Sequence, residues 1–153
     1  MKPYDFKFID LFCGIGGFHQ AMEPLGGKCV FACDINAQCR EVYKKNFCPN
    51  DEFLLYGDIN KAIEENVIPK FDVLCGGFPC QTLSIAMPTS NRIGLENLEK
   101  SGLFYECYRV LKEVKPTYFF IENVASMKEE DKKILSDFIG CEPIKIDSQI
   151  CAP

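Results

Sequence analysis

Phe6-Lys7-Phe8-Ile9-Asp10-Leu11-Phe12, running straight into Cys13-Gly14-Ile15-Gly16-Gly17, is the stretch that decides the fold. The first seven residues form a short apolar run that reads as a strand. The glycines let the backbone turn tightly, and a helix opening at Ile15-Gly16-Gly17 and running to about Leu25 follows. A helix start at that place offers free amide donors to a ligand. Such a turn is also a common structural joint. The pattern is not the dinucleotide G-x-G-x-x-G, because His19 stands where the last glycine would be.

Outward from this unit the same alternation continues. Lys28 to Cys33 reads as a second strand, Asn36 to Asn46 as a helix, and Glu52 to Tyr56 as a third strand. A weak helix spans about Asn60 to Asn66, and Phe71 to Cys75 is a fourth strand entering Gly76-Gly77-Phe78-Pro79-Cys80. Residues 81–100 are polar and aperiodic and are expected to form a long loop, a kind of segment that tends to be functional. A helix over Gly102 to Val114, a strand over Thr117 to Ile121, a helix over Glu129 to Ile139 and a sixth strand starting in Pro143 to Ile146 complete the expectation. Alternating strands and helices predict an α/β fold, a mostly parallel sheet with helices on both faces. With 153 residues the chain suits a single domain over 1–153.

Composition narrows the class. The 10 cysteines include no Cys-x-x-Cys pair, and the only histidine is His19, so no metal site is expected. Free cysteines in apolar runs behave as small hydrophobes and fit a reducing compartment. No apolar run approaches membrane-spanning length, so the expected location is cytoplasmic, or nuclear in a eukaryote, with no membrane partner. The net charge of -5 is wrong for a simple nucleic-acid-binding module.

In doubly wound sheets ligands sit beyond the carboxyl ends of the strands. Past the first strand lie Phe12, Gly14 and Gly16. Past the second lie Asp34, able to accept from both hydroxyls of a ribose or to cap the next helix, and Ile35. Past the third lie Asp58, an acceptor for an adenine amino group or a helix cap, and Ile59, an aliphatic surface for the ring. The fourth strand delivers Phe78, Pro79 and Cys80. A cysteine on a rigid turn is either a positioned nucleophile or a buried thiol. No second histidine exists and His19 is far from Cys80 in sequence, so a Cys-His hydrolase is not expected. The fifth strand ends at Glu122-Asn123-Val124, and a glutamate leaving an apolar strand is a candidate proton donor or a solvated charge.

Together these motifs resemble the cytosine-5 DNA methyltransferase family. Asp10-Leu11-Phe12-Cys13-Gly14-Ile15-Gly16-Gly17-Phe18 is similar to its cofactor motif, Gly77-Phe78-Pro79-Cys80-Gln81 to its Pro-Cys motif, and Glu122-Asn123-Val124 to its Glu-Asn-Val motif. Gly102-Leu103-Phe104 falls between them in order, and the segments at Gly102 to Arg109 and Glu122 to Met127 resemble the animal de novo branch. The resemblance implies a Rossmann-like S-adenosylmethionine-dependent fold and S-adenosylmethionine as cofactor. Phe12, Gly14, Gly16, Asp34, Ile35, Asp58, Ile59, Phe78 and Leu103 would line its site. It implies Cys80 as nucleophile toward carbon 6 of a cytosine flipped from duplex DNA, Glu122 at ring nitrogen 3, and Pro79 and Asn123 in support, Asn123 orienting Glu122 or the loop holding Pro79 and Cys80. The family's arginine-rich motif, target-recognition domain and closing C-terminal helix have no counterpart before Cys151-Ala152-Pro153. A complementary polypeptide or a longer chain is therefore expected to supply them. Transfer-RNA cytosine methylation and a non-catalytic regulatory homologue are the alternative readings.

Overall fold

A computed structural model of the chain describes residues 4–50, 52–79, 98–147 and 149. The chain divides into two compact units, one of Met1–Pro79 with Leu103–Asn123 and one of Cys80–Gly102 with Val124–Pro153.

In the first unit five strands form one parallel sheet: β1 (Phe6–Leu11), β2 (Gly27–Cys33), β3 (Leu54–Tyr56), β4 (Val73–Gly76) and β5 (Tyr118–Ile121). Their order is β3-β2-β1-β4-β5. The chain winds outward in one direction from β1 and then in the other from β4, so the topological switch lies between these two strands. That is where such sheets open a crevice at their carboxyl edge.

Helices α1 (Gly17–Met22), α2 (Ala37–Phe47), α3 (Ile59–Glu64) and α4 (Leu98–Val114) are the crossovers. Side chains alternate across β1: Ile9 and Leu11 join Ile59, Ala62, Cys107 and Val110 in one core cluster. Phe8 joins Met22 and Tyr43 in another. Each face is thus covered by a different pair of helices. Phe8, Ile9, Leu11, Phe31 and Leu74 are fully buried, each contributing about 2 kcal/mol of hydrophobic stabilisation.

The pairing of β1 with β2 contains one irregularity. Phe8 pairs with Cys29 but Ile9 pairs with Phe31, so Val30 is an extra residue. In a regular strand Cys29 and Phe31 would share a face. The insertion sends Cys29 to the α1–α2 side and Phe31 to the α3–α4 side.

The sequence reading holds for the alternation and for the parallel sheet, with two corrections. Leu98–Lys100 are helical, so α4 starts inside the stretch expected to be loop, whose remaining residues 81–97 lie outside the described ones. Gly102 is an interior helix residue, a position where glycine costs about 1 kcal/mol relative to alanine and is tolerated. Pro143 to Ile146 form no strand. Their alternation suggests one, but Ile144 and Ile146 are 86% and 75% exposed, and no described strand pairs with them.

In the second unit α5 (Glu129–Ile139) opens with Glu129, Glu130 and Asp131, which favour the positive end of the helix dipole. It stops at Gly140, whose φ of 82° is left-handed and whose N–H donates to the Ser136 carbonyl at 2.8 Å. Among the described residues no helix is long and apolar enough to cross a membrane.

Candidate functional site

The turn after β1 is built from left-handed backbone. Phe12, Gly14 and Gly16 have φ of 56°, 53° and 103°. Left-handed phenylalanine is an uncommon, strained conformation of the kind that clusters at ligand sites. The two glycines differ in what surrounds them. A Cβ on Gly14 would meet nothing within 4 Å, so there is open space beside this backbone. A Cβ on Gly16 would stand 2.1 Å from a ring carbon of Phe47. The close approach at Gly16 is therefore made by α2 of the protein itself.

Asp34, half-buried at the end of β2, holds this turn. Its Oδ2 accepts from the Gly14 N–H and its Oδ1 from the Asn36 N–H, both at 2.8 Å. The cap of α2 is Asn36, which accepts from Gln38 and Cys39, so Asp34 is not the cap. The Asp34 N–H donates to the Tyr56 carbonyl at 3.2 Å, which links the ends of β2 and β3. Asp58 does cap α3, accepting from the Asn60 N–H at 2.9 Å. A carboxylate has about four lone-pair sites, so both aspartates keep acceptor capacity.

Ile35 is 73% exposed beside these acceptors, whereas Ile59 is 3% exposed and committed to the core. Leu103 is half-buried and packs on the same core. Open space at Gly14, two carboxylates and the exposed Ile35 suit a ligand with sugar hydroxyls and an aromatic base.

A second group gathers at the ends of β4 and β5. The Glu122 N–H donates to the Gly76 carbonyl at 3.0 Å. A Cβ on Gly77 would stand 3.3 Å from Glu122 Oε2, so the carboxylate lies over a backbone with no side chain. Asn123 Nδ2 donates to the Phe78 carbonyl at 2.9 Å. Phe78 is buried against Phe104 of α4, with ring centroids 5.4 Å apart, and Pro79 is exposed. Cys80 lies outside the described residues.

Five of the other thiols behave as core. Burial pushes Cys29, Cys33, Cys75 and Cys107 up to about 12 and Cys13 further in the same direction. None is a thiolate at neutral pH. Among the described residues no group of three or more His, Cys, Asp or Glu is arranged to hold a metal ion.

The chain matches the family described as C-5 cytosine-specific DNA methylase over residues 6–140. It belongs to that family.

Among curated relatives this chain is 44% identical to the type II methyltransferase M.HpaII of Haemophilus parainfluenzae, across 83% of the chain and 34% of the relative. It is 39% identical to the type II methyltransferase M.HhaI of Haemophilus parahaemolyticus, across 82% of the chain and 36% of the relative. Both are bacterial, unlike the animal branch that two segments resemble. A solved structure described as a DNA modification methyltransferase encoded within an E. coli prophage superposes with a TM-score of 0.65 at 26% identity. That match covers 89% of this chain and 37% of the other. The chain thus spans about a third of the length of these relatives.

Two features of this chain escape a reading of its sequence. Asp10, His19 and Tyr43 form a buried polar group: the Tyr43 hydroxyl lies 3.2 Å from Asp10 Oδ2 and 2.8 Å from His19 Nδ1. The three residues are far apart in sequence, and nothing local announces them. Arg40 bonds the carbonyls of Asp34 and Ile35. Its signal was a cation near the start of α2, where the helix dipole disfavours positive charge.

Proposed function

We propose that this chain carries the cofactor site and the catalytic residues of a DNA cytosine-5 methyltransferase. What supports the reading most is the meeting of its two catalytic motifs. Asn123 bonds the carbonyl of Phe78, two residues before Cys80, while Glu122 lies over Gly77. These contacts, all within the first unit, support a reading in which the Pro-Cys motif and the Glu-Asn motif serve one reaction.

S-adenosylmethionine, when bound, supplies an electrophilic methyl group. Asp34 and Asp58 would take its ribose hydroxyls and adenine amino group, and Ile35 would pack on its base. Phe12 and the open backbone at Gly14 form the floor of that site.

Cys80 acts on the cytosine. Its thiolate adds to carbon 6, which breaks aromaticity and gives carbon 5 the electron density of an enamine. Glu122 meets ring nitrogen 3 and stabilises the charge that develops there. After methylation a base removes the carbon 5 proton, the carbon 6–sulfur bond breaks, and Cys80 leaves as thiolate. A free thiol near pKa 8.5 is only a few per cent ionised at pH 7, so the site has to favour the thiolate. The target atoms are unreachable in a duplex, so the cytosine is flipped out.

The net charge of -5 does not suit a phosphate-gripping surface. We assign the grip on DNA to protein beyond these residues, in the same chain or in a partner polypeptide.

The test is transfer of tritiated methyl from S-adenosylmethionine to duplex DNA, and in parallel to transfer RNA, with a complementing polypeptide present, followed by digestion to nucleosides. The label is expected in 5-methyl-2′-deoxycytidine. Label confined to transfer RNA, or cofactor binding with no transfer to any cytosine, would contradict the proposal.

A further inference from the structure

We infer that Arg40 is a positioning residue for the adenosine end of the cofactor site. It clamps the turn that carries Asp34 and Ile35 against the start of the turn that carries Asp58. The inference rests on the methyltransferase reading above and names a residue that its motifs do not include.

Arg40 is the fourth residue of α2 and is half-buried. A cation this close to a helix N-terminus opposes the dipole unless its charge is used elsewhere. Here the side chain folds back past the helix start. Its Nη1 donates to the Asp34 carbonyl at 2.6 Å and to the Ile35 carbonyl at 3.0 Å. These two carbonyls precede the helix, so no helical N–H competes for them. Bonds from an ionised donor are shorter and stronger than neutral ones. Among the described residues no carboxylate forms an ion pair with Arg40.

The same guanidinium reaches the next strand end. A Cβ on Gly57 would lie 3.5 Å from Arg40 Nη1, 3.6 Å from Cζ and 3.8 Å from Nη2. Gly57 separates Tyr56, whose carbonyl accepts from the Asp34 N–H, from Asp58. The flat group therefore lies against both turns. Arg40 bonds neither the Asp34 nor the Asp58 carboxylate, so the acceptor capacity that remains beyond their bonds to the Gly14, Asn36 and Asn60 amides stays open to a ligand. A turn held in its binding geometry spares the ligand the cost of ordering it. Arg40 acts on affinity for the adenosine portion, through Asp34 and Ile35, and not on bond-making at Cys80.

The experiment compares wild type, Arg40→Ala and Arg40→Lys in three measurements: thermal melting, amide hydrogen exchange, and titration with S-adenosylhomocysteine and 5′-methylthioadenosine. The second ligand shares the adenosine and lacks the amino-acid end. Arg40→Ala should weaken both ligands by a similar factor of about ten, with Arg40→Lys recovering to within about threefold of wild type. Without ligand, the Asp34 and Asn36 amides should exchange faster in Arg40→Ala, while amides of β4 keep their rates. Where turnover is measurable, KM for the cofactor rises and kcat stays. A folded Arg40→Ala protein with wild-type affinities and wild-type exchange at Asp34 and Asn36 overturns the clamp alone. If Arg40→Ala does not fold, Arg40→Lys decides: wild-type affinity and exchange in it overturn the clamp. Failure of the wild type to bind either ligand overturns the methyltransferase reading as well, and is seen before any variant is made.

Discussion

Asp10 sits 1% exposed on β1, its Oδ2 beside the Tyr43 hydroxyl and its Oδ1 without a hydrogen-bond partner among the described residues. Burial pushes its carboxyl from the ordinary 3.8 up to about 7, against the lowering effect of the Tyr43 bond. The proton count then fixes the neighbours. An ionised Asp10 accepts a hydrogen bond from the Tyr43 O–H, and His19 must then carry its proton on Nδ1 and donate to the Tyr43 oxygen. A protonated Asp10 can donate to Tyr43, which donates in turn to His19. Burial lowers His19 to about 4 from 6.5. Between pH 4 and 7 the unfolded Asp10 is ionised and the folded one protonated, so its contribution to stability falls as pH rises. Between pH 6.5 and 4 the unfolded His19 is charged and the folded one neutral, so its contribution falls as pH falls. The two oppose each other over most of the acid range. Asp10→Asn removes the first alone, and its stability relative to wild type should improve from pH 4.5 to pH 8 by on the order of a few kcal/mol. Urea midpoints across that range check it, and parallel curves for the two proteins would rule it out. None of this was legible in the sequence, because Asp10, His19 and Tyr43 meet only through the packing of α1 and α2 on β1.

At the scale of elements, the turn after β1 and the start of α3 carry separable roles. Gly16→Ala meets both a left-handed backbone and the Phe47 ring of α2, whereas Gly14→Ala meets only the backbone term. Left-handed conformation costs a non-glycine residue about 1–2 kcal/mol, so Gly14→Ala should lose that much and Gly16→Ala clearly more. Equal losses in urea denaturation would mean that Phe47 yields freely. Asp58 is a helix cap by geometry and an adenosine acceptor by proposal. Asparagine caps as well as aspartate, so Asp58→Asn should leave stability within about 0.5 kcal/mol. It should still weaken S-adenosylhomocysteine binding several-fold, having one acceptor oxygen in place of two. Calorimetric titration showing undiminished affinity would reduce Asp58 to its cap. Element types were readable because apolar runs and helical periods alternate along the chain. The extra residue Val30 was not, since a strand's facing follows from its partner's register. The helical start at Leu98 was hidden behind Gly102, which reads as a boundary and is an interior position.

At the scale of the molecule, the sheet order β3-β2-β1-β4-β5 carries the turns with Gly14, Asp34 and Asp58 to one side of the switch and those with Gly77 and Glu122 to the other. The motifs were legible because each one stands just past a strand. The role of Arg40 depends on contacts between turns, which spacing does not encode, and a link from Asn123 to the loop holding Pro79 and Cys80 was readable only through the family resemblance. The chain is acidic and spans about a third of its relatives' length. These 153 residues alone should therefore methylate duplex DNA little or not at all, and should gain activity when a basic complementing polypeptide is supplied. Robust transfer by the chain alone would contradict that. The most direct test of the central claim is covalent trapping on a duplex carrying 5-fluorocytosine, with S-adenosylmethionine and the complementing polypeptide present. Fluorine in place of the carbon 5 proton blocks release of the enzyme. Mass spectrometry should then find the DNA base bonded to the peptide containing Cys80, and no adduct in Cys80→Ser protein that still binds S-adenosylhomocysteine. An adduct on another cysteine, or methyl transfer by Cys80→Ser at the wild-type rate, would contradict the account.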